Sequence, residues 1–191
     1  MPMAPHLALV LPGAGYGPAG PALRFPALAV AQCGAEVREV RYSSSPPRVS
    51  DLEAGQDFYA TARDQIQAIV DERRYAKVTF IAKSLGTMVL GAIGRELALP
   101  GLVDALWITP IFSLDYVRDG ALAVGWRSLV VCGSADRYYD RGAIEQVVSG
   151  LGADSLVLDR ADHGLEVNGD VLATLEGMHR LARAAVGFAS V

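Results

Sequence analysis

Short apolar runs alternate with longer stretches of helical periodicity along the whole chain. Residues 7–11 read as a strand that stops at Pro12-Gly13-Ala14-Gly15. A helix is expected over residues 21–33, with Gly34 just past its end and Pro26 either kinking it or delaying its start. Residues 36–42 read as a second strand, followed by a Ser- and Pro-rich loop over 43–49. Ser50 and Glu53 have the spacing of a capping box. Leu52, Phe58, Ala62, Ile66, Ile69 and Val70 then share one face of a helix that runs to about Arg74. Residues 77–81 form a third strand, and Leu85, Met88, Val89, Ala92 and Ile93 make the helix after it nearly apolar.

Residues 103–108 read as a fourth strand, with a single short helix expected in the irregular stretch 109–125. A fifth strand is read over 128–132 and a helix over 141–151, capped by Asp140 and closed by Gly152. A sixth strand covers 155–158. Asn168 is the expected cap of a last helix whose apolar stripe is Val171, Leu172, Leu175, Met178, Leu181 and Ala185. Six short strands alternating with helices predict an α/β fold, a doubly wound and mostly parallel sheet with helices on both faces. No linker divides residues 1–191, so one domain without a separate lid is expected.

Composition narrows the function classes. Hydrophobic residues make up 51% of the chain and charged residues 20%, which is the balance of a globular protein. The net charge is −4 with no basic cluster, which argues against a nucleic-acid partner. No apolar run is long enough for a membrane span, and the first residues lack a signal-peptide pattern, so a cytoplasmic protein is expected. Cys33 and Cys132 fall in segments expected to be buried, no disulfide framework is expected, and no Cys/His spacing suggests a metal site or a cofactor.

In such sheets, chemistry sits just after strands. Three residues occupy such positions: Ser84 after the third strand, Asp136 after the fifth and His163 after the sixth. A serine hydroxyl needs a base within hydrogen-bond reach, an imidazole is that base near neutral pH, and a carboxylate fixes the imidazole tautomer. Asp140, Asp162 and Glu166 are alternative acids nearby, whereas His6 and His179 are expected to be solvent or packing residues. Lys83, beside the serine, is expected to face solvent rather than to attract an anionic substrate.

The segment Ala82-Lys83-Ser84-Leu85-Gly86 has the form of a nucleophile elbow, G-x-S-x-G, with Ala82 in place of the first glycine. With the Gly133-Ser134-Ala135-Asp136 turn and the Ala161-Asp162-His163-Gly164 loop in the order Ser, Asp, His, the chain resembles the α/β-hydrolase superfamily over nearly its whole length. It is similar to the small lidless serine hydrolases of the dienelactone-hydrolase and carboxylesterase-like branch. The resemblance implies strand order 2-1-3-4-5-6 and hydrolysis of a small-molecule acyl substrate, without a cofactor, through an acyl-enzyme on Ser84. It also implies an oxyanion site made by the backbone N–H of Leu85 and that of Ala14 or Gly15. Pro12 stands where many members have a histidine, and the family's first two strands and lid are missing. An open site is therefore expected, lined by some of Tyr16, Ile111, Phe112, Tyr116, Tyr138, Tyr139 and Leu165, although each tyrosine is equally compatible with the core.

Two readings compete with hydrolysis. Gly13, Gly15 and Gly17 after the first strand invite a phosphate- or dinucleotide-binding loop, but Pro18 stands off the pattern and no acidic residue ends the second strand. A catalytically idle binding module on the same fold is the other, since fold alone does not prove activity.

Overall fold

The computed structural model describes residues 5–42 and 55–190. The strands are β1 (His6–Leu11), β2 (Glu36–Glu39), β3 (Lys77–Lys83), β4 (Leu102–Ile108), β5 (Arg127–Gly133) and β6 (Asp154–Leu158). The helices are α1 (Pro21–Gln32), α2 (Gln56–Asp71), α3 (Leu85–Ile93), α4 (Asp115–Val124), α5 (Arg141–Leu151) and α6 (Val171–Ala189). A 3₁₀ turn, Gly94–Glu96, extends α3. The six strands form one sheet in the order β2-β1-β3-β4-β5-β6, and every neighbouring pair is parallel. This is the expected order and direction.

Strand alternation divides the core in two. Leu7, Leu9, Leu11, Phe80, Ala82, Trp107 and Cys132 face α2, α3, α4 and α5. Ala8, Val10, Ile81, Leu106, Ile108 and Val131 face α1 and α6. Burial on both faces explains why the strands read as continuous apolar runs. Among the described residues no helix is long and apolar enough to cross a membrane.

Several boundaries shift. The predicted loop 43–49, Leu52 and the capping box of Ser50 and Glu53 lie outside the described residues. Pro26 is buried within α1, which starts at Pro21 without delay. Asp140 caps α5 as expected, accepting from Ala143 N–H at 3.1 Å. The last helix is capped by Asp170, not Asn168: the Asp170 carboxylate accepts from Ala173 N–H at 3.0 Å. Its predicted apolar stripe is only half buried. Met178, Leu181 and Ala185 pack in the core, whereas Val171, Leu172 and Leu175 are exposed, because the small residues Ala173, Thr174 and Gly177 form the inward face of the first turns.

Between β4 and β5 the chain carries α4, which packs directly on α3. The two helices meet at glycines: a Cβ on Gly120 would lie 2.1 Å from the Gly91 carbonyl oxygen, and one on Gly91 would lie 2.6 Å from the Val117 Cα. At the opposite, amino-terminal edge of the sheet, Asp104 is buried between two cations. Its carboxylate accepts from Arg127 at 3.0 and 2.9 Å and pairs with Lys77 Nζ at 2.7 Å. Burial alone would raise the Asp104 pKa, but the bonds from Arg127 and Lys77 outweigh it and hold the carboxyl below its usual value.

Two stability effects are expected. Gly120→Val forces α4 off α3 and should cost ~1–3 kcal/mol, read as a drop of several degrees in Tm. Asp104 stabilises the fold while ionised, fully above its unfolded pKa of about 3.9, and this contribution is lost as pH falls through its lower folded value. The urea midpoints of the wild type and Asp104→Asn should therefore differ most above about pH 4 and converge as pH falls further. A gap between the two that stays constant with pH would contradict this assignment.

Candidate active site

β3 runs between β1 and β4 and ends at Lys83; α3 begins at Leu85. Ser84 makes the whole turn with φ 50° and ψ −108°, a conformation that costs a non-glycine residue ~1–3 kcal/mol. Its N–H donates to the Ile108 carbonyl at 3.1 Å, and its own carbonyl accepts from Thr87 N–H and from the Thr87 hydroxyl at 2.8 and 2.6 Å. Ala82 is fully buried against the α3 side of the sheet, so its methyl group is accommodated where the elbow pattern has glycine. The second glycine has no such latitude. A Cβ on Gly86 would lie 2.3 Å from the Leu11 carbonyl oxygen.

Ser84, Asp136 and His163 come together at the carboxyl edge. Ser84 Oγ is 2.8 Å from His163 Nε2, and His163 Nδ1 is 2.7 Å from Asp136 Oδ2. The Asp136 side chain is 3% exposed, and its other oxygen accepts from Tyr138 N–H at 2.9 Å. The Tyr138 ring meets the imidazole edge-on, with centroids 5.1 Å apart. The alternative acids are engaged elsewhere or exposed: Asp140 caps α5, Asp162 accepts from Gly164 and Glu166 N–H, and Glu166 faces solvent. His6 is a packing residue, 2.8 Å from the Thr79 hydroxyl, and His179 is exposed on α6.

The loop after β1 abuts the serine. Gly13 and Tyr16 exchange backbone hydrogen bonds at 3.1 and 3.3 Å, which leaves Ala14 and Gly15 at the tip of a tight turn. A Cβ on Gly13 would lie 3.4 Å from Ser84 Cβ. The start of α1, where a dinucleotide-binding loop would hold phosphate, is occupied. The Tyr16 hydroxyl accepts from Ala22 N–H at 3.0 Å.

Of the expected pocket lining, Tyr16, Tyr116, Tyr138 and Tyr139 are half-buried and present some surface. Ile111, Phe112 and Leu165 do not: they are 2, 1 and 0% exposed. Phe112 packs on Trp107 beneath the loop after β4, and Leu165 turns inward toward the α1 and α6 side with φ 64°. A surface groove of about 960 Å³ lies around Leu102, Trp126 and Arg127 at the opposite edge, away from this constellation.

Lys83 contradicts its expected exposure. It is 1% exposed, and its ammonium donates to the Thr109 hydroxyl at 3.0 Å and to the His163 carbonyl at 2.6 Å. The signal is the strand itself: β3 is central and covered on both faces, and parity puts Lys83 on the Ile81 side, toward α1 and α6. Among the described residues, no group of three or more His, Cys, Asp and Glu side chains is placed to hold a metal. Cys132 is buried beside Asp136, and burial first and then that carboxylate push its thiol up to about 12, which makes it unreactive.

No protein-family model matches the chain, and no curated protein sequence matches it. Solved structures do. A lidless α/β serine hydrolase from Xanthomonas campestris aligns with TM-score 0.67 at 16% identity, over 98% of this chain and 84% of that one. An esterase from Pyrococcus furiosus aligns with TM-score 0.67 at 12% identity, over 97% and 82%. An α/β serine hydrolase homologue from Coxiella burnetii aligns with TM-score 0.67 at 11% identity, over 94% and 84%. The chain has the α/β-hydrolase fold.

Gly133 is where β5 meets the histidine loop. A Cβ there would lie 2.2 Å from the Ala161 carbonyl oxygen and 2.6 Å from that of Asp162. Gly133→Ala should displace the loop, so the imidazole nitrogen resonances of His163 should shift while those of His6 and His179 stay in place. Unchanged His163 resonances in a folded variant would show that the loop does not depend on this contact.

Proposed function

We propose that this protein is a serine hydrolase that cleaves a carboxylic ester or related acyl bond through an acyl-enzyme on Ser84. The observation that carries the reading is the unbroken hydrogen-bond chain from Ser84 Oγ through His163 to Asp136, on the α/β-hydrolase fold. The Ser84 hydroxyl donates to His163 Nε2, which takes the proton as Oγ attacks the acyl carbon. His163 Nδ1–H donates to Asp136, which holds that tautomer and stabilises the imidazolium. Tyr138 N–H, bonded to the second Asp136 oxygen, keeps the carboxylate oriented.

The developing oxyanion would sit between two main-chain donors. Leu85 opens α3, and the first N–H groups of a helix have no partner within it. On the other side, Ala14 directly follows Gly13, the loop residue packed against Ser84, which favours Ala14 over Gly15. Collapse of the tetrahedral intermediate sends the His163 proton to the leaving group. A water molecule then repeats the sequence on the acyl-enzyme, with His163 as base and Ser84 as leaving group. Between β4 and β5 the described chain carries α4, docked on α3 and not over the serine, and Tyr16 and Tyr138 keep part of their surface exposed. Small or short-chain acyl substrates suit such a site.

A fluorophosphonate probe tests the reading. The wild type should be labelled at Ser84, and Ser84→Ala should not. Labelling that persists in Ser84→Ala would remove the serine from the mechanism, and an unlabelled wild type would favour an idle binding module. Against an activated ester, Ser84→Ala or His163→Ala should lower kcat by on the order of 10⁴–10⁶. Asp136→Asn should lower it by about 10⁴. Circular dichroism should show all three folded.

A further inference from the structure

The Lys83 ammonium is held by three segments that leave three different strands. From the end of β4, the Thr109 hydroxyl accepts at 3.0 Å. From the histidine loop after β6, the backbone carbonyl of His163 itself accepts at 2.6 Å. From the loop after β1, the Tyr16 ring lies over the ammonium with its centroid 4.5 Å away, a cation–π contact. Lys83 is also bonded covalently to Ser84. One cation thus touches the serine's own strand, the base's own residue and the loop that carries the second oxyanion donor.

We propose that Lys83 is a positioning residue for acyl transfer: it locks the histidine loop and the oxyanion loop to the nucleophile strand. The proposal rests on the hydrolase reading above. Being 1% exposed, the ammonium has no surface to offer a substrate, so it acts through the groups it holds.

A structural role alone does not account for a lysine here. Burying an ammonium costs free energy, and neutral acceptors and an aromatic face return only part of it. Thr109, one of those acceptors, sits at φ 42°, so the backbone at this contact is itself strained. An apolar side chain of similar length would fill the same space without that cost. What it would lack is a donor that reaches Thr109 and His163 at once.

The charge is set by its surroundings. Burial pushes Lys83 down to about 8, against the attraction of Asp136 in the loop after β5 and Asp162 in the histidine loop. Tyr16 faces it from the first loop, its own pKa raised chiefly by burial, and His163 faces it through its carbonyl. The ammonium therefore holds the loops below about pH 8 and loses its charge above it. Because the folded value lies below that of an unfolded lysine, stability rises with pH between the two while the positioning charge is lost.

The test compares the wild type with Lys83→Met and Thr109→Val, using a short-chain nitrophenyl ester and the fluorophosphonate probe. Lys83→Met should keep or raise Tm, lower kcat by about 10–100-fold with KM little changed, and slow probe labelling by a similar factor. Thr109→Val should show a smaller loss of the same kind. The wild-type rate should fall above about pH 8, and Lys83→Met should lack that alkaline limb. A Lys83→Met enzyme with wild-type kcat and pH profile would overturn the proposal. So would a kcat loss that only tracks a lowered Tm, since that is the mark of a structural residue. If the wild type itself is not labelled, the hydrolase reading fails, which is a separate outcome from the failure of Lys83 as its positioning residue.

Discussion

The structure depends on a turn that has no spare residue. β3 is hydrogen-bonded on both sides and must pass into α3 through Ser84 alone. That forces φ 50° on a residue with a side chain. The strain is tolerated because α3 is well anchored. Its Leu85, Met88, Val89, Leu90 and Ile93 are all buried, and the Thr87 hydroxyl bonds back to the Ser84 carbonyl. The same tightness sets the distance to the neighbouring strand. Gly86 approaches the Leu11 carbonyl so closely that no side chain fits between them. α3 therefore lies flush against the end of β1, and the loop after β1 falls beside Ser84.

Parallel pairing does the rest. Every strand delivers its carboxyl end to one edge, so the loops after β1, β3, β4, β5 and β6 converge without any long excursion. Convergence alone leaves loops free to move. Here they are anchored: Ala135 N–H to the Ala161 carbonyl joins two loops, Thr109 N–H to the Val131 carbonyl ties the loop after β4 to β5, and Ile111 N–H to the Thr87 hydroxyl ties it to α3. Lys83 ties three segments at one atom. The edge is thus a network of bonds that anchor loops to one another and to a rigid sheet, the arrangement in which the Ser84–His163 and His163–Asp136 distances of 2.8 and 2.7 Å can be held.

The parts of this molecule that are legible from residues alone are those governed by local periodicity. Strand and helix order follows from alternating apolar runs, and Ser84, Asp136 and His163 can be paired because each comes just after a strand. The features that periodicity misplaces depend on tertiary surroundings. Val171, Leu172 and Leu175 carry a helical stripe, but Ala173, Thr174 and Gly177 take the inward face there, and a reading of large apolar residues passes over them. Asn168 and Asp170 are both good caps, and the choice falls to the carboxylate that reaches Ala173. Ile111, Phe112 and Leu165 lie in site-forming loops yet point into the core, because those loops need apolar anchors beneath them. Residue type misleads at Lys83, since a lysine is seldom buried, although the last position of a central strand covered on both faces is an inward one.

The two buried charge sites of the sheet use opposite chemistry. At the amino edge Asp104 is matched by Arg127 and Lys77, the pairing expected where a charge serves stability. At the carboxyl edge, Lys83 is held by a hydroxyl, a carbonyl and an aromatic face, with Asp136 and Asp162 near enough to be felt but not bonded to it. Both Asp136 oxygens are already committed, one to Tyr138 N–H and one to His163. In the proposed mechanism, a direct ion pair from Lys83 would draw off the negative charge that an imidazolium at His163 requires. Holding the ammonium with neutral groups fixes the loop while leaving that charge to the histidine. On that reading, the unfavourable burial of a cation without a bonded carboxylate follows from keeping the proposed acid, base and clamp within one small cluster.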